Sequence, residues 1–378
     1  MTISPQAADA PRAADATASA APATHERRTF DDVVCTGCAC ACDDIVAMVE
    51  DNRIVEPRNA CQRGRDWFLA ANQPVADPFL LDGRPAAYKQ AIQRAAELLG
   101  QARSPLIYGL SQTTTEAQRA AVALADRASA TIDTPTSTLQ GPVGMSLHGV
   151  GEMTCTLGEV RNRGDLIIFW GCDPATTHPR HFERYSLDAV GMFVPRGRAD
   201  RTCVVVDTQR TATAERADVF LQIKPGSDFE ASWTLRAVIA GLPVDAAWVE
   251  SLTGVPLERW RGLAERMLAA KFGVISYGAA TAANRNQLTV EALLALTRDM
   301  NAHTRFVCNA LRTGGNLTGA ESVLLWQTGF PFGVSFARGY PRYNAREFSA
   351  EAMLARGEID VAVVVAREPA SELSDRAL

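Results

Sequence analysis

The sequence predicts an α/β protein with a parallel sheet, and two observations carry that prediction. From Pro105 onward, short β-rich apolar runs alternate with longer Ala/Leu-rich stretches of helical period, the pattern of layered α/β folds. Most of the β-rich runs are apolar throughout rather than at every second residue, so helices should cover both faces of the sheet. A third observation concerns what comes before. Five of the nine cysteines, Cys35, Cys38, Cys40, Cys42 and Cys61, fall within 27 residues and mark a small cysteine-rich module ahead of the α/β part.

The elements follow in chain order. Residues 1–28, rich in Ala, Pro and Thr, read as a disordered leader. They lack the apolar run of about 7–15 residues that a secretory signal needs. Residues 29–75 hold the cysteine-rich module. Lys89–Leu99 carries apolar residues at helical spacing. Strands are then expected at Leu106–Gly109, Asp165–Trp170, Cys203–Asp207, Val219–Ile223, Val274–Tyr277, Arg305–Cys308 and Asp360–Val365. Helices are expected at Glu116–Ala128, Phe229–Ala240, Leu257–Ala270 and Thr289–Met300. Residues 76–150 with 273–378 are expected to form a first α/β lobe, and 151–272 a second. Trp326–Tyr343 shows little periodicity and reads as a functional loop or a subunit interface.

Composition narrows the function classes. The chain has 378 residues, 47% hydrophobic and 21% charged, with a net charge of −5 and a pI near 5.7. That length excludes a disulfide miniprotein, and the charge offers no global field for nucleic acid or anionic lipid. No run approaches the roughly 18 apolar residues of a membrane span, so a cytoplasmic protein is expected. In a reducing compartment, clustered thiols are more often metal ligands than disulfides.

The cluster itself reads C-x2-C-x3-C over Cys35, Cys38 and Cys42, with Cys61 19 positions later. Three thiolates from one tight loop and a fourth from the next segment suit a 4Fe–4S cubane, in which each iron takes one terminal sulfur. Gly37 would let the loop fold over the inorganic sulfides. A four-cysteine zinc site usually uses two separated C-x2-C knuckles, and here there is one. Cys40, between ligands, is expected to point away as a spare thiol. The plain alternative is that all of these are small buried residues. Four cysteines in eight positions argue against it.

Several stretches resemble the molybdopterin oxidoreductase superfamily: the cysteine segment, Thr202–Asp207 running into Arg210–Ala214, and Ala217–Asp228. Three more resemble one branch of it, namely Trp170–Pro174 with His178-Pro179-Arg180-His181, Thr313–Asn316, and Trp326–Asn344. That branch is the B subunit of formylmethanofuran dehydrogenase, most nearly the form found in the bacterial formyltransferase/hydrolase complex. The resemblance implies a molybdopterin-oxidoreductase-like fold, an iron–sulfur-type module followed by two Rossmann-like lobes. It also implies a complex of one-carbon metabolism, whose partners are the hydrolase-like A subunit, the formyltransferase and the C subunit, with a methanofuran-type carrier. In the dehydrogenase, the B subunit interconverts CO2 and formate at molybdenum or tungsten held by two pterins and a protein thiolate or selenolate. In the methylotroph complex, formyl-tetrahydromethanopterin yields formate without a redox step, within formaldehyde oxidation.

This chain departs from the redox enzyme where the metal ligand belongs. The first strand-to-helix loop, Leu110–Gln118, contains Thr113, Thr114 and Thr115 and no cysteine. A neutral hydroxyl at Thr115 is a poor ligand for a soft dithiolene metal. The threonines read instead as a turn with a capping box, Thr113 as cap and Glu116 at the third helical position. Cys172 follows another strand and is an alternative ligand. His178 and His181 share a helix face and would bind metal only with a third ligand; as a lone pair they read as structural. Gly171, Asp207, Gly226 and Asp228 would contact the nucleotide ends of the pterin, or persist as turn and cap chemistry. Arg338, Tyr340, Arg342 and Tyr343 would hold a carrier tail or make subunit contacts. The expectation is therefore a scaffold subunit with one 4Fe–4S cluster at Cys35, Cys38, Cys42 and Cys61, no molybdopterin or tungstopterin, and no catalytic residue of its own. The alternative is a catalytic molybdenum or tungsten subunit. A third reading is an electron-transfer subunit holding the cluster alone.

Overall fold

A computed structural model describes residues 26–74, 79–137, 144, 146, 147, 149–278, 281, 287–312, 314–371 and 373–378. Most of the expected leader lies outside these residues. Its last two residues, Arg27 and Arg28, open strand β1 (Arg27–Val33), which pairs antiparallel with β2 (Ile45–Glu50). Strand β3 (Arg53–Arg58) returns along β2 after the two-residue turn Asp51-Asn52. Both turn residues have positive φ, 49° and 61°, the geometry that matches hairpin twist and that Asp and Asn tolerate best. Helix α1 (Gln62–Ala70) follows. The side chain of Asn72 holds Ile54 N at 2.8 Å and Ile54 O at 2.6 Å, tying the end of α1 to β3. The cysteine loop lies between β1 and β2. After a short hairpin of β4 (Leu80–Leu81) and β5 (Arg84–Pro85) comes helix α2 (Tyr88–Gln101).

Two five-stranded sheets form the rest. One contains β6 (Pro105–Gly109), β7 (Thr131–Asp133), β13 (Val334–Ser335), β14 (Arg342–Tyr343) and β15 (Val361–Val365), in the order β14-β13-β7-β6-β15. The other contains β8 (Leu166–Trp170), β9 (Thr202–Asp207), β10 (Val219–Gln222), β11 (Phe272–Tyr277) and β12 (Arg305–Ala310), ordered β10-β9-β8-β11-β12 and wholly parallel. The chain lays β9 and β10 to one side of β8, then crosses back to lay β11 and β12 on the other. The crevice at the carboxyl ends of β8 and β11 is thus a topological switch point, where open α/β sheets bind ligands.

This topology corrects the grouping of 273–378 with the first lobe. Strand β11 bonds to β8 and β12 to β11, whereas β15 returns to pair with β6. The error has a physical source, because continuous apolar runs carry no information about which sheet they join. The stretch Trp326–Tyr343 contains the short antiparallel strands β13 and β14, too brief for a period to register.

Helices α3 (Thr115–Arg127) and α11 (Leu317–Thr328) pack over the first sheet through Val122, Ala125, Val323 and Leu324 against Ile107 and Ile132. Over one face of the second sheet lie α7 (Asp228–Ile239), α8 (Ala246–Thr253), α9 (Leu257–Ala269) and α10 (Gln287–Met300). Its core includes Trp170 and Trp260, both fully buried, and each large apolar side chain so buried contributes roughly 1.5–3 kcal/mol. Trp170 Nε1 donates to Asp228 Oδ1 at 2.9 Å, which seats the start of α7 on the end of β8. On the opposite face, α4 (Leu157–Arg163) and the short helices α5 (Pro174–Thr177) and α6 (His181–Arg184) carry the residues that reach the cysteine loop.

Candidate functional site

The cysteine loop is closed at its neck by Cys35 N donating to Cys42 O at 2.8 Å. Cys35, Cys38, Cys40 and Cys42 are buried, and Cys61 is half-buried at the N-cap of α1. Gly64, one turn into α1, faces the sulfurs. A Cβ there would stand 3.1 Å from Cys35 Sγ and 3.8 Å from Cys61 Sγ, so the missing side chain is what gives both thiols room. Cys40, expected as a spare thiol, is 1% exposed and packs with the other loop cysteines, Ile45 and Phe68. Ala41, next to it, has φ of 44°.

Positive charge surrounds the thiols. The Arg180 guanidinium binds both oxygens of Asp44 at 2.7 Å, and Arg184 pairs with Asp43 and, at 2.6 Å, with Asp44. Arg63 lies near Cys38 and donates to Thr177 O at 2.9 Å. The Cys40 hydrogen bond, aided by Arg63, draws the Cys38 thiol down to about 6. Cys42 is lowered by the same neighbour, with Arg180 and Arg184. Cys40 is held well above the ordinary thiol range, and burial raises Cys35. Among the described residues, no three His, Cys, Asp or Glu side chains are arranged to hold a metal ion. A cubane asks something different, one thiolate at each of four corners. Cys35, Cys38, Cys42 and Cys61 are the thiols that could supply those corners, and Gly64 leaves room beside two of them, Cys35 and Cys61.

The loop after β6 meets the cysteine loop across a cavity of about 530 Å³, lined by Cys38, Ala39, Gln112, Thr113, Thr114 and the 314–319 turn among others. Gln112 N donates to Gly315 O at 2.7 Å, and Asn316 Nδ2 donates to Thr113 O at 2.7 Å. Gly315 packs so closely on the loop that a Cβ would stand 2.6 Å from Thr36 O. Thr313 lies outside the described residues. The cap of α3 is Thr114 rather than Thr113: its Oγ1 accepts from Ala117 N at 3.3 Å. Thr113 Oγ1 instead donates to Leu110 O at 2.5 Å. Thr115 is the first helical residue, so Glu116 sits one place too early for a capping box.

A second cavity of about 420 Å³ adjoins the first, sharing Ala39, Arg312 and Thr318 in its wall. It lies beside the switch point, with Ser276 and Asn309 from the ends of β11 and β12, and Glu152, Cys155, His178 and His181 around it. Both ring nitrogens of His178 are engaged, with Thr177 Oγ1 and Arg312 O, each at 2.8 Å. His181 Nδ1 bonds Ser186 Oγ at 2.9 Å, while Nε2 is buried without a partner. Burial, with His178 nearby, lowers His181 to about 3, so the ring is neutral. Arg312 pairs with buried Glu321, which also accepts from Thr136 Oγ1 at 2.5 Å. Burial raises the Glu152 carboxyl. Arg312 and Glu321 escape sequence reasoning, since neither lies in a recognisable spacing and their pairing depends on α11 folding back.

Among the groups expected at a pterin nucleotide, Asp207 and Asp228 each have one carboxylate oxygen bonded within the chain. Asp207 Oδ1 accepts from Thr208 N at 2.7 Å and Gln209 N at 3.3 Å. Asp228 holds the Trp170 indole. The side of Gly171 left open by its missing Cβ is filled by Thr281, whose Oγ1 would stand 2.6 Å away. Gly226, at φ 81°, turns the chain into α7. Cys172 Sγ donates to Ser276 O at 3.2 Å, and burial raises its thiol strongly. In the late motif, Tyr343 stacks on Phe330 with ring centroids 5.1 Å apart, and the Arg342 guanidinium lies over Phe348. Arg338 and Tyr340 are exposed.

The two-sheet architecture is shared with acetylene hydratase from Pelobacter acetylenicus, which has 14% identity, a TM-score of 0.54 and coverage of 72% of this chain and 44% of that one. More specific is the formyltransferase/hydrolase complex FhcABCD from Methylorubrum extorquens, solved with methylofuran. There the TM-score is 0.64 at 27% identity, over 77% of this chain and 78% of the other. The B subunit of that organism's formyltransferase/hydrolase complex Fhc is 29% identical over 294 residues, 76% of this chain and 74% of the relative. The B subunit of tungsten-containing formylmethanofuran dehydrogenase 2 from Methanocaldococcus jannaschii is 40% identical over 354 residues, 92% of this chain and 81% of the relative. No protein-family model matches the chain. The chain belongs to the B-subunit family of formylmethanofuran dehydrogenase, which also takes in the B subunit of the formyltransferase/hydrolase complex.

Proposed function

We propose that this chain is the B subunit of a cytoplasmic formyltransferase/hydrolase complex that takes formyl-tetrahydromethanopterin to formate in formaldehyde oxidation. It acts there as a scaffold without a redox centre of its own. Its partners are the hydrolase-like A subunit, the formyltransferase and the C subunit, and the complex works on a methanofuran-type carrier. One observation carries the reading. The loop that should supply a thiolate offers Thr113, Thr114 and Thr115, with the first bonded to Leu110 O and the second spent on the helix cap. Internal bonding of Asp207 and Asp228, and Thr281 seated against Gly171, support it. A 4Fe–4S cluster, if present, is held by Cys35, Cys38, Cys42 and Cys61 and would supply one-electron chemistry or simply brace the loop.

A second reading, a catalytic tungsten or molybdenum subunit interconverting CO2 and formate, is favoured by the 40% identity to a tungsten-containing relative. Metal analysis separates the two. The complex, purified with its partners under anoxia, should contain no stoichiometric tungsten or molybdenum. Stoichiometric metal with pterin would overturn the scaffold reading.

A further inference from the structure

The turn Val190–Val194, between α6 and β9, combines a pinned backbone with large apolar side chains that face solvent. Val190, Met192 and Phe193 are 60%, 77% and 61% exposed. Their backbone is tied to α4. Phe193 N donates to Asn162 O at 2.9 Å, Met192 N to Asn162 Oδ1 at 3.1 Å, and Arg161 Nε to Val190 O at 3.3 Å. Gly191 and Val194 bridge one another across the turn. A Cβ on Gly191 would stand 2.1 Å from Arg161 O, so a glycine is what lets the turn lie this close to the helix. Arg201 holds Ala189 O from behind at 2.8 Å. Apolar anchors already fixed in place lose little freedom when a partner covers them, which is how binding hot spots are built.

The surroundings define the partner. Beside the turn runs a groove of about 700 Å³, lined by Leu157, Arg161, Asn162, Arg184, Val190 and Met192 among others. The Arg163 guanidinium lies over the Phe193 ring, 5.1 Å from its centroid. Arg184 and Arg196 are paired with aspartates, whereas Arg161 and Arg163 have no acidic partner among the described residues. Two uncompensated positive charges therefore flank the apolar tip, in a chain whose net charge is −5. We propose that this turn and groove dock a different protein subunit, one that offers an apolar pocket to Met192 and Phe193 and carboxylates at its rim to Arg161 and Arg163. A second copy of this chain is a poor match, because two-fold pairing of the patch brings the same arginines toward one another. A bilayer surface is flat and leaves the groove unfilled. The proposal rests on the reading of the chain as one subunit of a complex, and it adds where a partner is held and by what chemistry.

The experiment uses the full chain with photoreactive benzoylphenylalanine in place of Phe193, produced together with its partners and purified as the complex. After irradiation, mass spectrometry maps the adduct. The expected result is a cross-link to a different subunit, within an apolar stretch that has Asp or Glu beside it. An adduct to a second copy of this chain, to lipid or to a stretch without acidic residues overturns the proposal. So does the absence of any adduct while the other subunits are present, and all of these outcomes leave the reading of the complex standing. A chain that purifies with no other subunit overturns both. Met192→Asp should lower retention of the cross-linked subunit about tenfold or more, with the thermal midpoint of the isolated chain unchanged, and raised salt should weaken retention of the same subunit by wild type. Undiminished retention by a folded Met192→Asp chain overturns the proposal, and the cross-link map decides the matter even if that variant fails to fold.

Discussion

Asp133 stands out among the buried residues. Its carboxylate at the end of β7 accepts from Ser137 Oγ at 2.6 Å, Gly333 N at 2.9 Å and Ala350 N at 2.7 Å, so one side chain joins three chain segments. Burial outweighs these bonds and raises the group to about 6. A raised carboxyl stabilises the fold most below its unfolded value near 4, and that contribution is lost as pH rises through about 6. The loss should reach a few kcal/mol. Urea titrations at pH 4 to 7 should show wild type losing stability relative to Asp133→Asn across this window. Parallel curves would remove Asp133 as the cause. At this scale the sequence is legible where spacing decides the outcome, as with Cys35 and Cys61, whose sulfurs both lie beside Gly64. It is not legible where the fold sets a backbone angle, as at Ala41, which takes a φ of 44° beside the buried Cys40. The cap of α3 falls one residue from its expected place for a related reason: adjacent threonines are chemically alike, and geometry alone selects Thr114.

Helix α4 illustrates how an element can depend on a residue far away in sequence. It has seven residues, too short to persist alone, and its last carbonyls would be orphaned. Buried Arg201 supplies the donors, bonding Val160 O at 3.2 Å, Arg161 O at 2.6 Å and Gly164 O, and also Ala189 O at 2.8 Å. Arg201→Met should keep the packing but strip these donors, at a cost of about 2–4 kcal/mol. A thermal midpoint unchanged from wild type would show that water or another side chain takes over. The capping box that starts α4, Thr156 with Glu159, is a local signal. The Arg201 cap is not, because it crosses some 40 positions. The longer helices follow from apolar period and the parallel strands other than β7 from continuous apolar runs, whereas β7, α11, α8 and the pair β13–β14 are hidden by short length or mixed composition.

Across the whole molecule, the cysteine loop is braced from both sides. Arg180, Arg184 and Arg63 tie it and its flanking helix to the short helices beside the second sheet. Gly315 presses on it from the turn before α11. The Arg180–Asp44 pair is bidentate and its arginine is largely buried, 13% exposed, which places it above ordinary surface pairs. Asp44→Ala should therefore free the loop locally and speed alkylation of Cys42 by about tenfold or more, an effect of about 1.5–3 kcal/mol on opening. Hydrogen exchange in β8 and β11 should stay as in wild type. Loss of protection there as well would mean the loop and second sheet unfold as one unit. The sheet order, unlike the individual strands, is not written in apolar runs, which is why β11 and β12 belong to a different lobe from the one their sequence suggests.

Arg312 forms part of the wall between the two cavities, its guanidinium held by Glu321, which Thr136 holds in turn. Its carbonyl meanwhile binds His178. The partition is thus set by side chains, whereas the outer walls are set by strands and helix ends. A lineage could change the capacity of this interior by altering one ion pair and leave every strand in register, so the volume available inside such a protein can drift much faster than its fold.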